Sequence, residues 1–285
     1  MSTAIPAPSS QSYRERLPKP QVGGLVSCVW VLQVSTSGRA AYEHRSIANG
    51  CVEIACTLGT GLVRVAGPKR RPTLARSAPG ETVVGVRFHP GAAPVLLGPL
   101  VAELVDLEVD LDRLWGSAAV ALGERLAEAA TPDDAVCLLE QEVLIRSAAA
   151  SEPDPLVTEA VKCLQPWRRV DVTGVASELF ISPRQMRRRF VTALGYGPKT
   201  LQRILRFQGF LALSDAYGTS DVPLARLAFI AGYADQAHLS RECSRFAGLS
   251  PSVFFEEMRG SCGPTHDHAA SFGGLRRALL ARQVS

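Results

Sequence analysis

Residues 232–251, GYADQAHLSRECSRFAGLSP, bring together three side chains whose types and spacing could do chemistry. His238 and Glu242 lie four residues apart, about one helical turn, and Cys243 follows directly. A histidine, a carboxylate and a thiol at this spacing could form half of a metal site, or a nucleophile with its base. The same residues could also belong to a helix that contacts DNA. The elements that position them decide between the two hypotheses.

The other histidines give little support to a metal centre. His266 and His268 resemble a metal-binding pair, but they lie in a Gly-rich stretch, where such residues are far more often unstructured. His44 and His89, with Glu53 as a potential partner, fall short of the ligand set that cupin-type metal chemistry normally needs. We therefore expect no metal, no cofactor and no enzymatic activity. A cupin-type enzyme carrying a DNA-binding domain is the alternative.

The seven cysteines form no C-x-x-C pair and no regular framework, which suits a reducing compartment. Cys51 and Cys56 lie five residues apart in a strand-like segment, so a redox sensor is a further hypothesis. On a straight strand an odd spacing places two side chains on opposite faces, and a disulfide would need a bulge or a bend. Buried structural thiols are the favoured interpretation.

The sequence carries no pattern typical of a membrane protein. No run of about 18 apolar residues occurs, and residues 1–20 hold Ser, Pro and charge where a secretory signal needs an apolar core. We expect a cytoplasmic protein with no membrane partner, whose residues 1–20 form a flexible leader.

Positive charge is concentrated in the C-terminal part of the chain. Residues 1–155 hold 14 Lys/Arg and 17 Asp/Glu, whereas residues 156–260 hold 14 and 9. Seven basic residues and no acid lie within residues 183–206. Because phosphate contact rewards local charge, this asymmetry indicates nucleic-acid binding, although a solvated basic helix face would look the same.

The sequence pattern predicts two domains. Short β-branched runs with Gly and Pro between them are typical of strands in a sandwich or barrel over residues 22–90, and helical spacing follows over 111–130 and 133–149. We assign residues 21–150 to a sensing or dimerisation domain, 151–155 to a linker, and 259–285 to a Gly-rich tail. The predicted fold class is α+β, with a β-rich, cupin-like N-terminal domain with helices followed by an all-α double helix-turn-helix domain at 156–258.

A first helix-turn-helix unit is predicted near residues 172–194. Apolar residues at helical spacing over 172–179 form the first helix, and Ser182 with Pro183 can start the second. Arg184 and Arg188 point almost opposite the core stripe of that second helix, which comprises Met186, Phe190 and Leu194. Arginines on the back of a packed helix suit guanine edges or phosphates.

The arrangement recurs forty to fifty residues later. Asp221 and Pro223 open a short helix, Gly232 supplies the turn, and Asp235 can cap the second helix. In that second helix Cys243 shares a buried face with Leu239 and Phe246, while Glu242 lies on the flank and can pair with a neighbouring basic residue. Between the units, residues 198–213 predict a helix of roughly 24 Å, which can set two recognition helices about one DNA turn apart.

The quoted motifs resemble the DNA-binding domain of the AraC/XylS family of bacterial transcription regulators. The similarity runs through ASELFISPRQMRRRFVTALGYGPKTLQRILRF and LARLAFIAGYADQAHLSRECSRFAGLSPSVFF, and covers about 100 residues, 156–258. The resemblance implies sequence-specific binding to double-stranded DNA through two recognition helices in successive major grooves. Helical geometry and the resemblance together give the expected DNA-binding residues: Arg184, Gln185, Arg187, Arg188, Gln236, Ala237, His238, Arg241 and Arg245.

The chain departs from the family pattern at three packing positions. Gly209 and Phe210 stand where an alanine-containing segment is common, and Cys243 stands where Phe is usual. Arg206 matches an arginine of the family's linker helix. It could contact a DNA phosphate or pack against the linker helix, and the sequence favours neither interpretation. These departures concern the packing of the second unit.

The N-terminal region resembles, more weakly, the N-terminal domain of one subgroup of these regulators. The similar segments are CVWV, ANGCVEI, VAGP and VVGVRFHPGAA. By analogy, we expect control by a small-molecule effector or by homodimerisation, with RNA polymerase as a further partner.

Overall fold

The computed structural model describes residues 11–36, 41–168, 170–217, 222–261 and 266–281. A β-rich domain with helices is followed by a helical domain, which confirms the predicted fold class. The strands are β1 (Gln11–Arg16), β2 (Val26–Val34), β3 (Tyr42–Ser46), β4 (Glu53–Thr57), β5 (Leu62–Ala66), β6 (Thr73–Ser77), β7 (Thr82–Phe88), β8 (Glu108–Asp110) and β9 (His266–Asp267). The helices are α1 (Pro94–Leu97), α2 (Asp112–Trp115), α3 (Ser117–Ala127), α4 (Pro132–Ala148), α5 (Pro155–Cys163), α6 (Val172–Glu178), α7 (Pro183–Leu194), α8 (Pro198–Tyr217), α9 (Leu224–Ile230), α10 (Gln236–Phe246), α11 (Pro251–Ser261) and α12 (Ala269–Ala281).

Seven strands form one sheet in the order β8-β5-β4-β7-β2-β1-β9, and β3 pairs with β6 in a second, two-stranded sheet. The larger sheet is open, because its end strands β8 and β9 do not pair with each other in the described part of the chain. Val, Ile and Cys side chains of β2, β4 and β7 form a core with α3 and α4 on one face. Their β-branched runs suit a pleated surface that is buried by helices.

Strand β1 lies inside the segment that sequence reasoning assigned to a flexible leader. It pairs antiparallel with β2 from Gln11 to Arg16, whereas residues 1–10 lie outside the described residues. Its inward side chains include Tyr13 and Glu15, and Glu15 is only 7% exposed. Because the buried positions of this strand are polar, hydrophobic alternation gives no sign of it.

The helical domain is built on α8, a helix of 20 residues and about 30 Å. Its aromatic side chains Phe207 and Phe210 are fully buried and contact Phe246 and Tyr233 of the second helix-turn-helix unit and Phe254 of α11. Leu201 and Ile204 of α8 belong to the same core as the first unit. One rod therefore holds both units.

The C-terminal segment, expected as a Gly-rich tail, contains β9 and the helix α12. Strand β9 extends the sheet beside β1, and α12 packs against α8. A Cβ on Gly209 of α8 would lie 3.2 Å from Leu279 Cδ1 and 3.0 Å from Pro166 Cγ. Glycine at this family-atypical position therefore makes room for α12.

Candidate nucleic-acid interface

Helices α6 and α7 form the first helix-turn-helix unit. Ser182 caps α7 through a hydrogen bond from Gln185 N at 3.2 Å, and Gln185 Oε1 accepts a bond from Ser182 N at 2.9 Å, a complete capping box. The helix ends at Gly195, whose φ of 74° closes the last turn. The local sequence thus fixes both ends of α7.

Helices α9 and α10 repeat this construction. Asp235 caps α10 by accepting a 2.6 Å bond from His238 N, and Gly248 follows its end with φ 75°. The two turns are closed by the same backbone hydrogen bond, from Ile181 N to Ala176 O and from Tyr233 N to Ala228 O. Pro223 precedes α9, whereas Asp221 lies outside the described residues.

The outer face of α7 carries unpaired positive charge. Met186 and Phe190 are 1% exposed, so α7 packs through the stripe that the sequence predicts. Arg184, Arg187 and Arg188 are exposed, and none forms an ion pair with any carboxylate among the described residues. These side chains can meet phosphates or guanine edges without first breaking a salt bridge.

Two side chains of α7 already have structural partners. Arg189, on the flank, donates to Asp154 Oδ2 at 2.6 Å, and Asp154 also caps α5. Gln185, an expected DNA-binding residue, is exposed, but its carbonyl oxygen serves the capping box.

The outer face of α10 is polar and less strongly charged. Its expected contact residues Gln236, Ala237, Arg241 and Arg245 are exposed, and neither arginine forms an ion pair with a described carboxylate. His238 is half-buried, with its ring edge-on to Tyr233 at 5.2 Å between centroids. The contact orients the imidazole on the outer side of the unit.

The three reactive side chains of α10 do not form one site. Cys243 is fully buried, and burial raises the pKa of its thiol to about 12. Glu242 is 2% exposed and accepts two bonds of 3.1 Å from Arg203 Nε of α8. The described residues contain no group of three His, Cys, Asp or Glu side chains that could hold a metal ion. Cys243 and Glu242 therefore belong to the packed side of α10, whereas His238 lies on its outer side.

Arg206 of α8 is also engaged within the domain. Its guanidinium lies 5.7 Å from the centroid of the Tyr233 ring, in cation–π range. The structure thus gives Arg206 a packing contact.

A polar cluster that sequence reasoning missed lies in the N-terminal domain. Arg87 donates to Glu53 at 2.8 Å, to Glu15 at 2.9 Å and to Ser271 of α12 at 2.6 Å. Burial alone would raise the pKa of both carboxyl groups. The charge of Arg87 outweighs this and lowers the pKa of Glu53. The pKa of Glu15 is lowered by a hydrogen bond from His268, by the charge of Arg87 and by further hydrogen bonds. A sequence sign that could have found it is the single charged residue, Arg87, within the apolar strand segment TVVGVRF.

A cavity of about 1470 Å³ lies beside this cluster, between the N-terminal sheets and helices α8, α11 and α12. His44, His89, Glu53 and Cys51 line it, together with aromatic side chains. Burial lowers the pKa of both histidines, which favours their neutral form. Its wall also includes Trp30, Ala75, Leu205 and Gln208.

Cys51 and Cys56 are both buried free thiols. Cys56 belongs to the sheet core, whereas Cys51 faces the cavity and donates to Asn49 O. Burial raises the pKa of both thiols, that of Cys56 to about 11. In the part of the chain that the structure describes, no helix is long and apolar enough to cross a membrane.

Two family models match the chain. Residues 14–110 match a domain of unknown function (DUF6597), and residues 175–257 match a helix-turn-helix domain. No curated protein matches. The second match covers both units described above.

Among solved structures, the chain is similar to ToxT from Vibrio cholerae. An apo form of a ToxT variant is 13% identical with a TM-score of 0.42, over 84% of this chain and 99% of that chain. A 1.65 Å structure is 12% identical with a TM-score of 0.41, over 86% and 98%. A form bound to unsaturated fatty acid is 13% identical with a TM-score of 0.40, over 88% and 95%. These values are too low to support an argument about function.

The helix-turn-helix match, the repeated capped units and the exposed arginines agree on one assignment. The resemblance to AraC/XylS regulators is thereby confirmed for the C-terminal domain. The chain is a DNA-binding transcription regulator, in which an AraC-type helix-turn-helix domain follows an N-terminal region that matches the DUF6597 domain of unknown function.

Proposed function

We propose that this regulator binds a specific operator by inserting α7 and α10 into successive major grooves on one face of the duplex. The observation that carries the proposal is the pair of capped helices whose outward faces hold unpaired arginines, both fixed to the rod α8. A rod of about 30 Å is close to the roughly 34 Å of one DNA turn. We assign this role to residues 156–258, with 21–150 as the sensing unit.

The proposed base readers are Arg184, Arg187, Arg188, Gln236, His238 and Arg241, because each lies on an outward face. Arginine can bond guanine O6 and N7 in a bidentate manner, and glutamine can do so with adenine. The methyl of Ala237 suits a thymine methyl. Gln185, through its cap, and Arg245, at the end of α10, are proposed to position the helices on the backbone.

Selection of bound sequences from random duplex DNA, at a stated salt concentration of about 0.15 M, tests this function. We expect an enriched motif of about 15–20 bp, the span of two major grooves. A triple variant that removes Arg184, Arg187 and Arg188 should lose one half of the motif and keep the other. Recovery of no motif by the full chain would contradict specific binding.

We further propose that a small molecule in the cavity controls DNA binding. The cavity wall includes Leu205 and Gln208 of α8, the helix that sets the distance between the two units. Gln208 Nε2 donates to Ala48 O of the N-terminal domain at 2.7 Å, and Arg45 of β3 forms bonds of 2.8 and 2.9 Å with Glu257 of α11. A ligand that moves the sheet against α8 would therefore act directly on the DNA-binding domain.

Trp30 supplies the readout for this second proposal, because it lines the cavity. Binding of an effector from a panel of candidate metabolites should change the tryptophan fluorescence of the full chain and the operator affinity together. Ala75→Trp places a large ring in the cavity wall and removes part of the cavity volume, so it should weaken both responses but leave basal DNA binding intact. An effector response of wild-type strength in Ala75→Trp would place the ligand elsewhere.

Homodimerisation is proposed to use the exposed apolar side chains of the N-terminal helices. Val120 of α3 and Leu144 and Ile145 of α4 are 51%, 41% and 56% exposed. Light scattering of the full chain and of Ile145→Glu tests this, with a monomeric wild type as the contradicting result. Contact with RNA polymerase stays a prediction.

A further inference from the structure

Phe180 occupies the turn between α6 and α7 in a left-handed backbone conformation that the turn requires but that suits glycine better than phenylalanine. Its φ is 55°, in the left-handed region that bulky residues rarely adopt. Its side chain is 96% exposed. The equivalent residue of the second unit is Gly232, with φ 83°. Glycine adopts this turn without strain.

The stability of the chain cannot explain a phenylalanine here. A left-handed conformation strains a residue with a Cβ, and a ring exposed to water recovers no free energy by burial. Strain of this kind is retained where it serves function. The ring is therefore directed at a partner.

The position of Phe180 identifies that partner as DNA. It lies two residues before Ser182, the cap of α7, and the N-terminal residues of a recognition helix are those that meet base edges. Arg184 is exposed in the first turn of the same helix and forms no ion pair with a described carboxylate. Phenylalanine in a major groove contacts thymine methyls. An acidic protein surface would leave the apolar ring unmatched.

We infer that Phe180 is an additional DNA contact of the first unit, whose ring packs on the apolar face of a nucleotide beside the bases that α7 reads. The nucleotide face is a thymine methyl or the deoxyribose ring. The inference rests on the proposed binding of DNA by α7 and adds a residue outside the recognition helix.

Phe180→Gly and Phe180→Asn in the full chain test the inference, since Gly and Asn both tolerate a left-handed turn. We expect the melting temperature to stay equal or to rise, while affinity for the selected operator falls about tenfold. A lower melting temperature together with unchanged affinity would assign the ring to the fold. Unchanged affinity with reduced transcription in vitro would assign it to a protein partner.

Phe229 gives a matched control, because it is 68% exposed on α9 and does not adjoin the cap of a recognition helix. Phe229→Ala should leave operator affinity unchanged, and an equal loss in both variants would overturn the inference. Replacing each operator thymine with uracil then locates the contact. If one replacement weakens operator binding by the wild type and not by Phe180→Gly, the ring contacts that thymine methyl. If no replacement does so, the ring contacts a deoxyribose.

The two proposals fail in different ways. A wild-type chain that enriches no DNA motif contradicts the proposed function. A wild-type chain that enriches a motif, with Phe180→Gly binding it equally well, contradicts only the contact by Phe180.

Discussion

Arg203 Nε lies 3.1 Å from both carboxylate oxygens of Glu242, a contact that fastens the rod α8 to the second recognition helix. The Glu242 side chain is 3% exposed and that of Arg203 is 29% exposed. The carboxylate of Glu242, which first suggested catalysis, thus forms an ion pair that links α8 and α10. The pairing also raises the pKa of Arg203, first through its hydrogen bonds to Glu242.

Replacing Glu242 should therefore loosen the second unit. Removing one partner of a buried pair usually costs about 3–5 kcal/mol, and we expect about 2 kcal/mol for Glu242→Gln because Arg203 can reach water. Thermal unfolding of the full chain measures the loss. Glu256→Gln removes an exposed carboxylate of α11 and should have no effect. Equal melting temperatures for wild type and Glu242→Gln would show that the pair does not hold α10.

Sequence reasoning succeeded where local chemistry fixes local structure. The caps Ser182 and Asp235, the turn glycine Gly232 and the stripe from Met186 to Leu194 each depend on neighbouring residues, and the structure has them as expected. Burial of Cys243 also follows from helical period alone.

Sequence reasoning failed where a distant partner decides. Strand β1 forms because it pairs with the edge of β2 and because Glu15 forms an ion pair with Arg87. Both partners lie outside residues 11–16, so the local sequence does not predict the strand. Helix α12 packs against α8 because Gly209 has no side chain that would meet Leu279. The cavity arises between elements as far apart in the chain as β1 and α12, so no spacing rule predicts it.

Enlarging Gly209 should displace the C-terminal helix. A leucine side chain would overlap Leu279 and Pro166, and overpacking of this kind costs about 1–3 kcal/mol. We expect Gly209→Leu to expose α12 to trypsin at Arg276 and Arg277 faster than in wild type. Ala216→Leu, on an exposed position of the same helix, is the control. Unchanged cleavage would mean that α12 does not depend on this contact.

Cys243 should behave as a packing residue. With a pKa of about 12, only about one thiol in ten thousand is ionised at pH 8, so iodoacetamide should not label it in the folded chain. Cys243→Ala should keep operator binding and lose about 1 kcal/mol of stability. Loss of binding with an unchanged melting temperature would point instead to a chemical role for the thiol.

Acid should weaken the attachment of the C-terminal segment. Burial, with neighbouring His268 and His44, lowers the pKa of His266 from about 6.5 to about 4. The unfolded chain therefore binds a proton at His266 more readily than the folded chain, and stability falls as pH falls from 6.5 towards 4. His44 and His89 act in the same direction. The lowered pKa values of Glu15 and Glu53 extend the loss below pH 4.5.

His266→Asn separates this residue from the others. We expect its melting temperature to fall less steeply than that of wild type between pH 6.5 and 4. Parallel curves for the two proteins would exclude His266 as a titrating group in that range.

Arg188 offers the most direct test of base reading. It is exposed, unpaired among the described carboxylates and opposite the buried stripe of α7. Arg188→Ala should cost about 1–3 kcal/mol of operator binding and relax sequence preference at one position. Arg113→Ala removes the same charge from an exposed site on α2 and should change neither quantity. Arg188 would be a phosphate contact if Arg188→Ala instead weakened binding to all DNA sequences equally. The slope of the logarithm of affinity against the logarithm of salt concentration would then also fall by about one.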